Sequence, residues 1–343
     1  MVAVIPGELL IVHTDADGAD VGVLEKSSLN VAFGNDENNF ELKCPSGTSI
    51  EAGSYVYVEG TEWGGVVDAA NPDTASGTVK YTGRSWHGIL AGKVLMPPQG
   101  SDYMVLEGDA NACLSQIVEA TGVGALFNVP DEPSGIAVDY EVPRFADAWS
   151  AVVGMLASAN ATPMLSFDGF HVTLWAEEAY DGSGEEWDAD KADVSMKISY
   201  RPVNHLVCAG EGELGDRIVV HLYADADGNV SRTQSLFGID EVAELYDFTL
   251  ADEAQLIEDG TERLAGMQDS DTCSVTVNEG DYRINDTVIA NDPSTGCSVA
   301  ARVSKIIADV KDGRASLSYK AGDVLVSSPS ALSRRIATRS ARR

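Results

Sequence analysis

No apolar run in this 343-residue chain approaches the eighteen or so residues of a bilayer span, so no membrane-spanning helix is expected. The opening Met1-Val2-Ala3-Val4-Ile5-Pro6 lacks a basic n-region and a cleavage site, and is not expected to be a signal peptide. Cysteine is sparse: Cys44, Cys113, Cys208, Cys273 and Cys297 are odd in number, scattered and never spaced as a ligand motif. They read as reduced, partly buried side chains of a protein made in a cytoplasm, and zinc is not expected. Bases are few as well. Lys plus Arg number 23 against 54 Asp plus Glu, a net charge of −31. Five of the bases, Arg334, Arg335, Arg339, Arg342 and Arg343, fall in the last ten residues beside no acid. The other 333 residues therefore hold 18 bases against 54 acids and carry −36. Such a body repels nucleic acid at long range. It suits a soluble acidic protein, or a wall past which DNA slides without sticking.

What is present begins with an internal echo. Ile50-Glu51-Ala52-Gly53-Ser54-Tyr55-Val56-Tyr57-Val58 with Trp63-Gly64-Gly65-Val66-Val67 parallels Tyr282-Arg283-Ile284-Asn285-Asp286-Thr287-Val288-Ile289-Ala290 with Thr295-Gly296-Cys297-Ser298-Val299. Val56 precedes Gly64 by the same eight residues that separate Val288 from Gly296. Upstream, Leu10-Ile11-Val12-His13 and an Asp15–Gly18 turn match Ile218-Val219-Val220-His221 and an Asp225–Gly228 turn. A duplicated domain lets three subunits mimic a six-fold ring, which predicts that residues 40–81 and 274–319 form two equivalent, separate strand sets.

A length of 343 residues predicts two to four domains. Residues 1–96 read as a first β-barrel domain, with seven short strands between Leu9 and Tyr81 separated by turn clusters. Residues 97–193 read as an α/β insert and acidic linker. Asp109 caps a helix carrying Leu114, Ile117 and Val118 that stops at Gly122. A second helix starts near Arg144, with Phe145, Trp149, Val152, Val153 and Leu156 at helical spacing. Asp168-Gly169 then signals a two-residue hairpin. Residues 194–326 read as a second β-barrel with a helical insertion near Ala251 to Met267, and residues 327–343 as a basic tail. The fold class expected is mainly β with α/β insertions, two similar tube-type β-barrels and an inserted α/β domain.

Enzyme-like patterns fail on inspection. Asp225-Ala226-Asp227-Gly228 puts Gly fourth and Leu236 twelfth, where a calcium loop needs Gly sixth and Glu twelfth. His13, His87, His171, His205 and His221 never pair at metal-ligand spacing and read as structural. His205 has no nucleophile-elbow motif to serve in a triad. Glu177-Glu178 and Glu185-Glu186 are placed in a polar loop, unable to hold a glycosidase pair at fixed separation. Gly210-Glu211-Gly212-Glu213-Leu214-Gly215 precedes a strand, not the helix a dinucleotide fingerprint must open. No catalytic residue, metal or cofactor is expected.

Several phrases nevertheless resemble a known family in order along the chain. They are Tyr81-Thr82-Gly83-Arg84-Ser85-Trp86-His87-Gly88-Ile89-Leu90 with Pro97-Pro98, Asn204 to Leu214 with Arg217 to Tyr223, Val242-Ala243-Glu244-Leu245-Tyr246-Asp247, and Asp292-Pro293-Ser294-Thr295-Gly296. Together they resemble the tail hub (baseplate or tail-tip hub) proteins of long-tailed bacteriophages, related to the N-terminal part of tail-associated lysins. The resemblance implies a non-enzymatic virion protein, assembled in the host cytoplasm as a homotrimer. Its pseudo-six-fold ring would join the distal tail or tail tube protein to tip or fibre proteins, and let tape-measure protein and DNA pass. Many relatives continue into a hydrolase or receptor-binding domain, whereas this chain runs only shortly past Tyr319. Lytic or adhesive activity is thus expected elsewhere, with a receptor- or carbohydrate-binding tail module or a cell-wall hydrolase as alternatives. The basic tail, Arg334, Arg335, Arg339, Arg342 and Arg343, is the candidate docking segment for an acidic neighbour.

Overall fold

The computed structural model describes residues 9–182, 192–197, 202–226, 228–249, 251–268, 272–277, 281–292 and 297–328. Two compact units emerge. The first comprises Met1–Val194, Val275–Ala290 and Ala300–Asp323; the second comprises Ser195–Ser274, Asn291–Val299 and Val324–Arg343.

The first unit opens with β1 (Ile11–Thr14), β2 (Asp20–Val23), β3 (Ser28–Gly34), β4 (Asn39–Pro45), β5 (Tyr55–Val58), β6 (Gly64–Asp73) and β7 (Thr78–Ser85). The period of β4 is two: Phe40, Leu42 and Cys44 are buried, while Asn39, Glu41 and Lys43 face water. Six residues, Trp86–Ala91, then form α1, with the Ser85 hydroxyl accepting from the Gly88 N–H. An insert follows: β8 (Met104–Asp109), α2 (Ala110–Thr121), β9 (Phe127–Asn128), β10 (Ala137–Val142), α3 (Ala148–Ser158), β11 (Ala161–Phe167) and β12 (Val172–Glu178). Asp109 caps α2 by accepting from the Asn111 N–H, and Gly122 ends it in the left-handed region at φ 67°. Leu114, Ile117, Trp149, Val152, Leu156, Phe167 and Leu174 are buried. The insert is thus a packed core, as the helical spacing predicts.

Strand β13 (Ala192–Lys197) spans the boundary between the units. The second unit holds β14 (His205–Ala209), β15 (Val219–Ala224), β16 (Val230–Ser231), β17 (Ala243–Asp247) and α4 (Glu253–Gln268). Its sheet order is β16-β15-β14-β17, with β17 parallel to β14. Leu206, Cys208, Val220, Leu222, Ala224, Ala251, Leu256 and Leu264 make its core. Gly260 on α4 lets helix and sheet close up: a Cβ there would sit 2.7 Å from both Cys208 Sγ and Leu222 Cδ1.

The chain then supplies β18 (Thr272–Val277), β19 (Thr287–Asp292), β20 (Cys297–Lys311) and β21 (Arg314–Ser328). Here the expectation of two separate barrels fails. Strand β20 pairs antiparallel with β3 from Lys305↔Gly34 to Lys311↔Ser28. The described strands of 40–81 and 274–319 therefore lie in one sheet, ordered β18-β21-β20-β3-β4-β7-β6-β5-β1-β2, which does not close on itself among the described residues. The reason is burial: Leu29, Val31, Ile306, Ala308 and Val310 are all core residues, so β3 and β20 cover each other's edges.

The echo survives locally. Asp15 donates its N–H to Ala19 O and accepts from Gly18; Asp225 does the same with Asn229 and Gly228. Gly18 and Gly228 share φ 87° and 84°. Likewise Ser54 N–H meets Glu51 O and Asp286 N–H meets Arg283 O, with Gly53 and Asn285 at φ 89° and 73°. The bonds that follow match too: Gly53 N–H meets Val67 O and Val67 N–H meets Ser54 O, as Asn285 N–H meets Val303 O and Val303 N–H meets Asp286 O. Strand β5 pairs β6 as β19 pairs β20, so the repeat is a turn with its hairpin, held within one sheet.

Two smaller expectations are also corrected. The second helix starts at Ala148, because Asp147 takes the capping position and Phe145 sits at φ 64°, outside any helix. Phe167 pairs with Val172, so the hairpin loop has four residues, clasped by Asp168 accepting from Phe170 and His171.

Candidate assembly surfaces

Several carboxylates in the described residues serve as caps, turn clasps and ion-pair members. Burial works to raise Asp109, but N–H and O–H donors from Ser134, Gly135 and Asn111 outweigh it and hold the group below the usual range. Backbone N–H groups of His171 and Phe170 do the same for Asp168. Arg84 lowers Asp68 through hydrogen bonds of 2.8 and 2.9 Å. Asp286 moves the other way, raised by burial while it accepts from Tyr180 and Arg283 N–H. Desolvation raises the thiols Cys44, Cys113 and Cys208, which are free and buried. These are inert cysteines.

Glu177 and Glu178, expected in a loop, belong to β12. Glu177 accepts from Trp175 Nε1 at 2.9 Å and pairs with Arg283, which together hold it ionised. A carboxylate so held is no general acid. Glu185 and Glu186 lie outside the described residues, as do Arg334, Arg335, Arg339, Arg342 and Arg343. The Gly210–Gly215 stretch passes through a single turn at Leu214–Asp216 into β15, so no helix N-terminus meets it. His87 is fully buried, stacked 4.2 Å from Phe33, with Nε2 3.2 Å from Glu62 Oε2. His205 lies beside His221 and Glu241, a grouping that separations of 16 and 36 positions conceal in the sequence. No group of three or more His, Cys, Asp or Glu among the described residues is arranged to hold a metal.

Two groups of exposed apolar side chains stand out. Among the described residues strand β2 ends the sheet order and pairs with β1 alone. Its Val21 and Val23 are 60% and 48% exposed, and Leu10 just before β1 is exposed too. An open edge carrying valines is a template for another strand. A second surface lies in the insert. Val94 bridges Asp147, Leu95 N–H meets Ala146 O and Met104 pairs with Val142, gathering three chain segments. Val94, Met96, Tyr103, Val105 and Phe145 on these segments are all exposed. The Arg144 guanidinium lies 5.2 Å over the Phe145 ring. Exposed large apolar side chains gathered on neighbouring segments mark interaction surfaces.

No family model matches the chain, and no curated protein matches it. Solved structures do. The chain is similar over 92% of its length to 98% of a 43 kDa tail protein of prophage MuSo2 from Shewanella oneidensis, at 14% identity and TM-score 0.49. It is similar over 91% of its length to 94% of a prophage tail protein from Listeria monocytogenes, at 11% identity and TM-score 0.46. A tail protein from Neisseria meningitidis is matched over 92% of this chain and 96% of that one, at 13% identity and TM-score 0.44. At such values the family stays unassigned. Among the described residues no helix is long and apolar enough to cross a membrane.

Proposed function

We propose that this chain is a non-enzymatic structural component of a bacteriophage-type tail, working by assembly as a hub at the tail tip. The observation that carries the proposal is the β2 edge, left open among the described residues, with its exposed Val21 and Val23. An edge of that kind is completed by a neighbour. Support for the tail context comes from the ordered phrases: Tyr81–Leu90 forms the β7–α1 junction, Asn204–Tyr223 forms β14 and β15, and Val242–Asp247 forms β17.

In this proposal three copies make the ring that joins the tail tube to tip or fibre proteins. The acidic body keeps passing DNA mobile, because phosphates within about one Debye length, ~8 Å, are repelled and not trapped. The basic tail would dock on an acidic neighbour. Native mass measurement tests the assembly, and a zymogram on host peptidoglycan tests the absence of lytic activity; clearing by the isolated chain would overturn the non-enzymatic role. A second reading, a host-binding tail module, draws on the exposed Phe145 group and on Phe170, 78% exposed at its hairpin tip. A pull-down with host cells separates the two.

A further inference from the structure

His205 and His221 stand on adjacent antiparallel strands, β14 and β15, where Val207 pairs with His221 and His205 with Tyr223. They are thus diagonal neighbours on the sheet face opposite α4. His205 Nε2 lies 2.8 Å from His221 Nδ1, and His205 Nδ1 lies 2.6 Å from Glu241 Oε1. The Tyr223 ring stacks on His205 at 4.4 Å and fixes its plane. The His205 side chain is 12% exposed, whereas His221 opens to solvent.

The proton inventory of this cluster is restrictive. A carboxylate only accepts, so Glu241 takes the Nδ1–H of His205. With both rings neutral, the Nε2 lone pair of His205 faces His221, whose Nδ1–H tautomer donates to it. A carboxylate behind one imidazole nitrogen, with the other left as a lone pair, is the arrangement that orients a metal-ligating histidine. A second imidazole nitrogen within 2.8 Å of that lone pair supplies the second ligand. The chain's net charge of −31 favours any cation arriving there.

We infer that His205 and His221 form a two-imidazole site for a late first-row divalent cation such as Zn²⁺, backed by Glu241 and open to solvent on its remaining positions. Imidazole pairs suit Zn²⁺, Ni²⁺ and Cu²⁺ and reject Mg²⁺ and Ca²⁺, which require oxygen. Binding exchanges the nitrogen–nitrogen hydrogen bond for two metal–nitrogen bonds of about 2.0–2.1 Å, which needs the rings to part by about half an ångström. With both rings neutral, the proton of His221 moves from Nδ1 to Nε2, where it donates to water, and no proton is released. The sequence hides this site because strand pairing, not spacing, brings the two rings together.

The test is calorimetric titration of the full chain, first stripped with chelator, with Zn²⁺ at pH 7. The chain is compared with His221→Thr, which keeps a strand-forming residue at an exposed position, and with Glu241→Gln. The expected result is one Zn²⁺ per chain lost in His221→Thr, with affinity falling about 10- to 100-fold in Glu241→Gln. Mg²⁺ should give no heat in any of them. Unaltered Zn²⁺ uptake by His221→Thr, with circular dichroism matching the parent, overturns the inference. So does absence of Zn²⁺ binding by the parent chain.

Discussion

Replacing Trp149 by Ala should remove a large part of the first unit's stability, and the amount follows from its surroundings. The indole is 1% exposed, meets His87 edge-on at 4.7 Å and donates Nε1–H to Gly34 O at 3.0 Å. A buried Trp→Ala change costs about 3–5 kcal/mol through lost burial and the cavity left behind. Domains are stable by about 5–15 kcal/mol, so this is a third or more of a typical total. Trp149→Phe isolates the hydrogen bond. Gly34 O keeps the Asn38 amide at 2.9 Å, so no acceptor is stranded and the loss should be about 1–2 kcal/mol. Urea unfolding followed by tryptophan fluorescence is the assay, since Trp63, Trp86 and Trp175 report on the first unit in both variants. The midpoint should drop with little change in slope. A loss under about 1 kcal/mol for Trp149→Ala, or equal losses for the two variants, would refute the burial and hydrogen-bond reasoning.

Gly34→Ala should also destabilise the first unit, and by more than Trp149→Phe, because a Cβ would lie 2.2 Å from Ser304 O at φ 150°; the same urea titration reads it. Asp109→Ala should cost about 1 kcal/mol at pH 7 through loss of the α2 cap. Because the folded pKa of Asp109 is lowered, its stabilisation is complete above the unfolded value of about 3.9 and disappears as pH falls through the folded one. The stability gap between parent and variant should therefore close in acid, and a gap constant from pH 7 to pH 2 would contradict the assignment. Val21→Lys with Val23→Lys should leave unfolding unchanged within about 0.5 kcal/mol, as exposed positions do, while blocking any association through β2.

Local chemistry was legible in the sequence where a single segment carries its own signals. Asp109 and Gly122 bound α2 because a side-chain acceptor and a left-handed glycine are both local devices. The paired turns at Asp15 and Asp225, and at Glu51 and Arg283, were visible for the same reason. Their meaning was not, since pairing of β20 with β3 joins residues more than 270 positions apart and no turn dictates it. Six-residue α1 was missed because it is too short to show a period. The second helix was begun too early because Phe145 keeps apolar spacing while its backbone turns left-handed. His205 and His221 escaped notice as a pair because each looks like an isolated strand residue until β14 and β15 are set side by side.

Native mass of the full chain across the micromolar range tests the assembly proposal most directly. The proposal predicts a species of three times the 36.2 kDa chain that the Val21→Lys and Val23→Lys double variant returns to monomer. A parent chain that stays monomeric throughout that range, or a trimer indifferent to the double variant, would contradict it.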